Sequence, residues 1–223
     1  MRMIQSLVGG MGRMGRMGRA GLAGVAMAFL ATTAGAADLQ EGRDFRPLAK
    51  PQPVETGKKI EVIEFFSFSC PHCKDMEPVL TPWIKKLPAD VQLRRIPAQF
   101  SPMWVGTAKV WYTLEALNRE DLVPAVFTAI HGQNARLDQD KTFFEWAEKQ
   151  GVDRKKLEDM YNSFAVAGKL SRSKTQVQSY AIGSVPTFVV DGKWTTETGV
   201  QRRHDEIPGL LDKLIDKARA ERK

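Results

Sequence analysis

The only two cysteines of the 223-residue chain, Cys70 and Cys73, stand three residues apart at a change of pattern. Before them runs IEVIEFFSF (60–68), β-branched and aromatic, which predicts a strand. After them Met76, Val79, Leu80, Trp83, Ile84 and Leu87 recur at helical spacing. The chain must therefore build a strand that turns directly into a helix, with both thiols at the turn. Pro78 and Pro82 fall inside that helix, and because each lacks a backbone donor a kink or local break is expected.

The remaining pattern is mixed. A Pro-rich lead, FRPLAKPQPVETGKK, precedes the first strand, and VQLRRIP (91–97) predicts a second. From about Ser101 to Lys174 the periodicity is helical only. One helix is marked by Val110, Leu114 and Leu117, a second by Leu122, Val123, Val126, Phe127 and Ile130, and a third by Phe143, Phe144 and Ala147. Gly151 stops the third, and Asp153 can cap the next, which buries Leu157, Met160 and Tyr161. PTFVV (186–190) then turns at Asp191 and Gly192, an Asp-Gly hairpin signal, and Ile207, Leu210, Leu211, Leu214 and Ile215 line a last helix. The order predicts an α/β fold interrupted by a helical subdomain, with boundaries at 37–100, 101–174 and 175–223.

Residues 1–36 follow other rules. Four arginines precede the apolar stretch AGLAGVAMAFL, and TTAGA ends in small residues, the pattern of a secretory signal peptide cut after Ala36. Cleavage removes four of the 33 basic residues and no acidic one, which takes the net charge from +7 to +3. What is left has no basic stripe with interleaved aromatics, so nucleic acid is not an expected partner.

A bridge between Cys70 and Cys73 closes too short a loop to stabilise the fold appreciably. A secreted chain that relied on staples would carry more cysteines. As a reagent the pair is better placed. Residues three apart at a helix start have Cβ atoms about 5–6 Å apart, close to the roughly 3.5–4.5 Å a disulfide needs. Unpaired amides and the positive end of the helix dipole favour a thiolate at Cys70. His72 can add to the effect from between the cysteines, and Pro71 presets the first helical turn. A disulfide whose reduced form is stabilised in this way is readily donated. Half a zinc site is the competing interpretation of one CxxC, but no second pair exists, and His131 and His204 lie far apart without ligand spacing, so no metal is expected.

EFFSFSCPHC, the later GSVPTFVV and the insertion of about 70 residues between them resemble the DsbA family of periplasmic thiol:disulfide oxidoreductases, over essentially the whole mature chain. The resemblance implies a thioredoxin-like fold with a helical insertion, an exposed nucleophile at Cys70 and a buried partner at Cys73. It matches Pro186, preceded by Val185, to the cis-proline that faces the disulfide and helps to hold substrate. It also matches Glu64 to an acidic residue under the active site. By strand alternation Glu64 shares a face with Val62, Phe66 and Phe68, so the carboxylate must be paired or protonated. Arg95, where the family usually has lysine, is the candidate partner. Proton relay for Cys73 and simple buried ion pair both remain open for Glu64.

The function implied is oxidation of newly secreted, incompletely folded proteins by a monomer in the periplasm, reoxidised by a DsbB-like quinone-linked membrane protein and needing no cofactor of its own. An isomerase or reductase of the same superfamily is the nearest alternative, although the chain has no evident room for a dimerisation domain. A periplasmic chaperone with incidental cysteines is the alternative from another class.

Overall fold

The computed structural model describes residues 39–197 and 203–222. The expected signal peptide and its cleavage site lie outside them. Among the described residues, five strands, β1 (Arg46–Pro47), β2 (Ile60–Phe66), β3 (Val91–Pro97), β4 (Thr187–Val190) and β5 (Trp194–Glu197), form one sheet in the order β1-β5-β4-β2-β3. β2 and β3 are parallel; β4 runs antiparallel to β2, β5 to β4 and β1 to β5. The helices are α1 (Pro71–Ile84), α2 (Pro102–Ala116), α3 (Val123–Gln133), α4 (Asp140–Lys149), α5 (Arg154–Tyr161), α6 (Phe164–Ser179) and α7 (Ile207–Glu221). This is a mixed α/β, thioredoxin-like architecture with a helical insert between β3 and β4.

β2 is central and buried along its whole length. Its period of two divides its neighbours. Val62 packs with Met76, Leu80 and Trp83 of α1 and with Leu210, Leu211 and Leu214 of α7, whereas Ile63 and Phe65 face Tyr180 and Ile182 on the other side. Trp83 Nε1 donates to Asp212 Oδ1 at 2.8 Å and ties α1 to α7. At the end of the strand Phe66 and Phe68 join a separate core with Trp111, Val126, Phe127 and both cysteines. Phe66 meets Phe68 and Trp111 edge-on at 5.2 and 5.3 Å, and Phe68 meets Phe127 at 5.0 Å. Such pairs are worth about 0.5–1.5 kcal/mol each beyond their burial. The insert thereby grips the turn that carries the cysteines.

Several sequence expectations need correction. The first strand ends at Phe66 rather than Phe68, because Ser67 makes a turn: its carbonyl accepts from Cys70 N at 3.1 Å and its hydroxyl from Ser69 N at 3.1 Å. Helix α1 runs unbroken through Pro78 and Pro82. These prolines lie four residues apart on the exposed side, so the hydrogen bonds they delete are at the solvent face while Met76, Leu80 and Trp83 hold the other face to the sheet. Helix α6 continues past Lys174, the expected end of the helical block, to Ser179. The Pro-rich lead supplies the edge strand β1, and Gln52 N donates to Gly192 O at 2.8 Å. Asp191 and Gly192 both have positive φ, 56° and 64°, as an Asp-Gly hairpin turn requires. Asp153 caps α5 by accepting from Lys156 N at 2.8 Å.

Candidate active site

Cys70 is the N-cap residue of α1, with φ −94° and ψ 119°, and Pro71 occupies the first turn, where a missing N–H costs nothing. Helices are usually capped by an oxygen of Ser, Thr, Asp or Asn at this position. Here no side-chain oxygen does so, and the sulfur of Cys70 takes the place beside the free amides. The thiol of Cys70 is accordingly brought down from 9.0 to about 6. The largest cause is the hydrogen bond from the Cys73 thiol; the amides of Cys73 and His72 and the charge of His72 add to it, against the cost of burial. Cys73 moves the other way, well above the ordinary thiol range. Burial is the main reason, followed by its hydrogen bond to Cys70 and the negative charges of Cys70 and Glu64. One thiol is thus poised to ionise and its neighbour to keep its proton.

The exposed nucleophile expected at Cys70 is a correction: Cys70 is 5% and Cys73 1% accessible, and neither is disulfide-bonded. Cys70 lies at a covered turn, within the core cluster of Phe66, Phe68 and Trp111 against which Val185 packs. The Val185–Pro186 peptide bond is cis, and the Val185 carbonyl oxygen is 3.5 Å from Cys70 Sγ, in position to accept from the thiol. Ser69 Oγ and Thr107 Oγ1, 3.2 Å apart, link the turn to α2, and His131 Nε2 lies 2.8 Å from the Phe68 carbonyl oxygen.

Beneath the cysteines, Glu64 on β2 stands in register with Arg95 on β3. Arg95 Nε donates to Glu64 Oε2 at 2.7 Å, and its Nη2 to Glu77 Oε2 at 2.7 Å. Thr81 Oγ1 donates to the other oxygen of Glu77 at 2.7 Å. All three charged side chains are buried, and the guanidinium lies over the rings of Phe66 and Trp111. Two carboxylates share one guanidinium. Desolvation, helped by the charges of Glu77 and Cys70, raises the affinity of Glu64 for a proton against the pull of Arg95. Glu77 was missed in the sequence. Its position one residue after Met76, on the buried side of α1, was the available signal.

His72 is exposed, and its ring stacks on His204, with centroids 6.1 Å apart and planes at 25°. The separation of His204 from the other histidines along the sequence therefore conceals a spatial contact, because the short 3₁₀ turn His204–Glu206 leading into α7 packs on α1. Among the described residues no three His, Cys, Asp or Glu side chains converge as a metal site requires.

Residues 61–206 match the model of the DSBA-like thioredoxin domain. The thiol:disulfide interchange protein DsbA of Pseudomonas aeruginosa is 39% identical over 188 residues, which are 84% of this chain and 89% of that protein. DsbA of Bordetella parapertussis is 39% identical over 193 residues, 85% and 92% of the two chains. The crystal structure of Pseudomonas aeruginosa DsbA superposes with a TM-score of 0.79 at 38% identity, covering 83% of this chain and 97% of that one. The oxidoreductase NmDsbA1 of Neisseria meningitidis gives 0.75 at 27% identity, covering 83% and 97%. The chain belongs to the DsbA family of thiol:disulfide interchange proteins, and it is a thiol:disulfide oxidoreductase built around one CxxC pair.

Proposed function

We propose that this oxidoreductase works in the periplasm as a disulfide donor, oxidising cysteine pairs of newly secreted, incompletely folded proteins. The observation that carries the proposal is the opposed protonation of its two thiols, with Cys70 brought down to about 6 and Cys73 pushed up. A substrate thiolate attacks Cys70 Sγ of the oxidised pair, the S–S bond breaks, and Cys73 leaves and takes up a proton. A second substrate thiolate then attacks the substrate sulfur of the mixed disulfide and expels Cys70 as a thiolate. The substrate loses two electrons and the enzyme gains them. Because Cys70 is a good leaving group, the second step runs toward oxidised substrate.

His72 and the first-turn amides hold the Cys70 charge, and Pro71 presets that turn. Val185 and the cis-Pro186 present a backbone carbonyl beside Cys70, where an extended substrate segment docks. Glu64 is proposed to supply the proton that Cys73 takes up, which its raised proton affinity supports. The chain acts as a monomer, and electrons leave through a DsbB-like, quinone-linked membrane protein that reoxidises the pair. The division into two flanking parts that build the sheet and a helical insert that holds the turn belongs to the same proposal, with the second boundary moved from 174/175 to the end of α6 at Ser179.

The test is refolding of a reduced, cysteine-containing protein with catalytic amounts of the oxidised enzyme. Wild type accelerates oxidation and Cys70→Ala does not; if Cys70→Ala keeps the activity, a chaperone function is indicated instead. Equilibration with a glutathione buffer separates donor from reductase or isomerase, since a strongly reducing potential contradicts a donor.

A further inference from the structure

His204 has no part in the chemistry described above, yet it meets the one ionisable side chain that lies between the two cysteines. Its ring is stacked on that of His72, 6.1 Å centre to centre and 25° between planes. Its Nε2 is buried and makes no hydrogen bond among the described residues. The contact between the two imidazoles is one of ring faces. The contact joins two elements far apart in the chain, the first turn of α1 and the 3₁₀ turn before α7, which pack against each other.

We propose that His204 is a positioning residue: its ring is a platform that holds the His72 imidazole over the start of α1, where His72 acts on the sulfur of Cys70. An exposed side chain at a helix start has several rotamers open to it, and most carry its ring away into solvent. A stacked neighbour selects the rotamer that keeps the ring near the sulfur, and aromatic faces stack favourably in such offset arrangements. His72 lowers the proton affinity of Cys70 through its charge and its backbone amide, and only the charge depends on where the ring lies. The other charged groups facing the pair are Asp75 and Lys74 on α1, which are ion-paired to each other at 3.0 Å, and Arg203, Asp205 and Glu206 on the turn, of which Arg203 and Asp205 pair at 2.5 Å. The hydrogen bond and charge of Lys74 chiefly lower the proton affinity of Asp75, against its slight burial, and His204 and His72 add a little to it.

The inference rests on Cys70 as the nucleophile, and the two fail separately. Retained disulfide donation by Cys70→Ala removes the nucleophile assignment, whereas His204 variants change only the ionisation of a thiol that is still present. The experiment titrates the Cys70 thiolate by ultraviolet absorbance in the reduced full protein and measures its equilibrium with glutathione. His204→Ala is expected to move the midpoint upward and to reduce the equilibrium constant for disulfide donation roughly two- to fivefold, the low end of couplings between groups in contact. His204→Gln, which removes the ring but keeps a polar side chain, does the same and serves if the alanine variant fails to fold. His204→Phe, which keeps a ring face, preserves both quantities. In a His72→Ala background, replacing His204 changes neither. An unmoved midpoint in His204→Ala or His204→Gln, an equal shift in His204→Phe, or a shift that persists without His72 overturns the proposal.

Discussion

The Sγ of Cys70 stands 3.5 Å from the carbonyl oxygen of Val185, a residue 115 positions away in the chain. A carbonyl oxygen can accept from the thiol but gives nothing to a thiolate, so this contact favours the protonated form. The lowered proton affinity of Cys70 is achieved in spite of it, through the Cys73 thiol, the amides at the start of α1 and His72. When Cys70 is ionised the Val185 carbonyl is left free to accept from another donor, the role proposed above for a substrate backbone.

Cys73→Ala keeps the Cys70 sulfur but forms no internal disulfide. Offered a disulfide-bonded substrate protein, its Cys70 thiolate attacks that bond, expels one substrate thiolate, and no Cys73 thiol is present to displace the substrate again. Mixed disulfides between Cys70 and substrate proteins are expected to accumulate, visible as bands that disappear on reduction in a non-reducing gel. Cys70→Ala should trap none; equal trapping by both variants reverses the assignment of roles.

Arg95→Met leaves Glu64 and Glu77 buried without their shared cation. Removing one partner of a buried ion pair costs about 3–5 kcal/mol, so urea unfolding of the oxidised protein is expected to show a loss of that size at neutral pH. The loss should shrink as pH falls and the orphaned carboxylates take up protons. A pH-independent loss below about 1 kcal/mol, the size of a surface pair, would mean that the network is hydrated rather than buried.

Gly192 has φ +64°, and a Cβ there would lie inside the contact distance of the Gln52 carbonyl oxygen. Gly192→Ala is expected to destabilise the protein by about 1–3 kcal/mol through strain and displacement of the Pro-rich lead. Thermal unfolding measures it, and an unchanged midpoint would count against the packing of the lead on the hairpin.

The elements most legible in the sequence were those with strong local signals. The aromatic run marked β2, the Asp-Gly pair marked the β4–β5 turn, and Asp153 marked the start of α5. Local signals failed where tertiary contacts decided the outcome. Pro78 and Pro82 did not break α1, because sheet packing on the opposite face outweighs hydrogen bonds lost to solvent. The lead became strand β1 only by pairing with β5, which no local pattern encodes. In the site, Cys70, His72 and Cys73 are adjacent in the chain and so were visible together. Glu77 reaches the site by the turn of a helix, for which its place beside Met76 on the buried side of α1 was the only local signal, and His204 reaches it by the packing of the turn before α7 on α1, which spacing along the chain does not show.

Stability of the reduced protein should depend on pH through Cys70. Its folded-state pKa, about 6, lies below the unfolded value of 9.0. The stabilisation is therefore fully present above pH 9 and is lost as pH falls through 6. Between those limits reduced wild type should gain on reduced Cys70→Ser by at most about 1.4 kcal/mol per pH unit, less whatever solvent screening removes. Parallel urea unfolding curves across this window measure the difference, and a constant difference would contradict the shift.

The most direct measurement is the thiolate absorbance of reduced wild type titrated against pH, with Cys70→Ala as the blank. A Cys70 midpoint near 6 is expected, with Cys73 silent through the range in which the fold survives. A midpoint near 9.0, the ordinary thiol value, would contradict a helix start that stabilises the released thiolate, and with it the physical basis for disulfide donation.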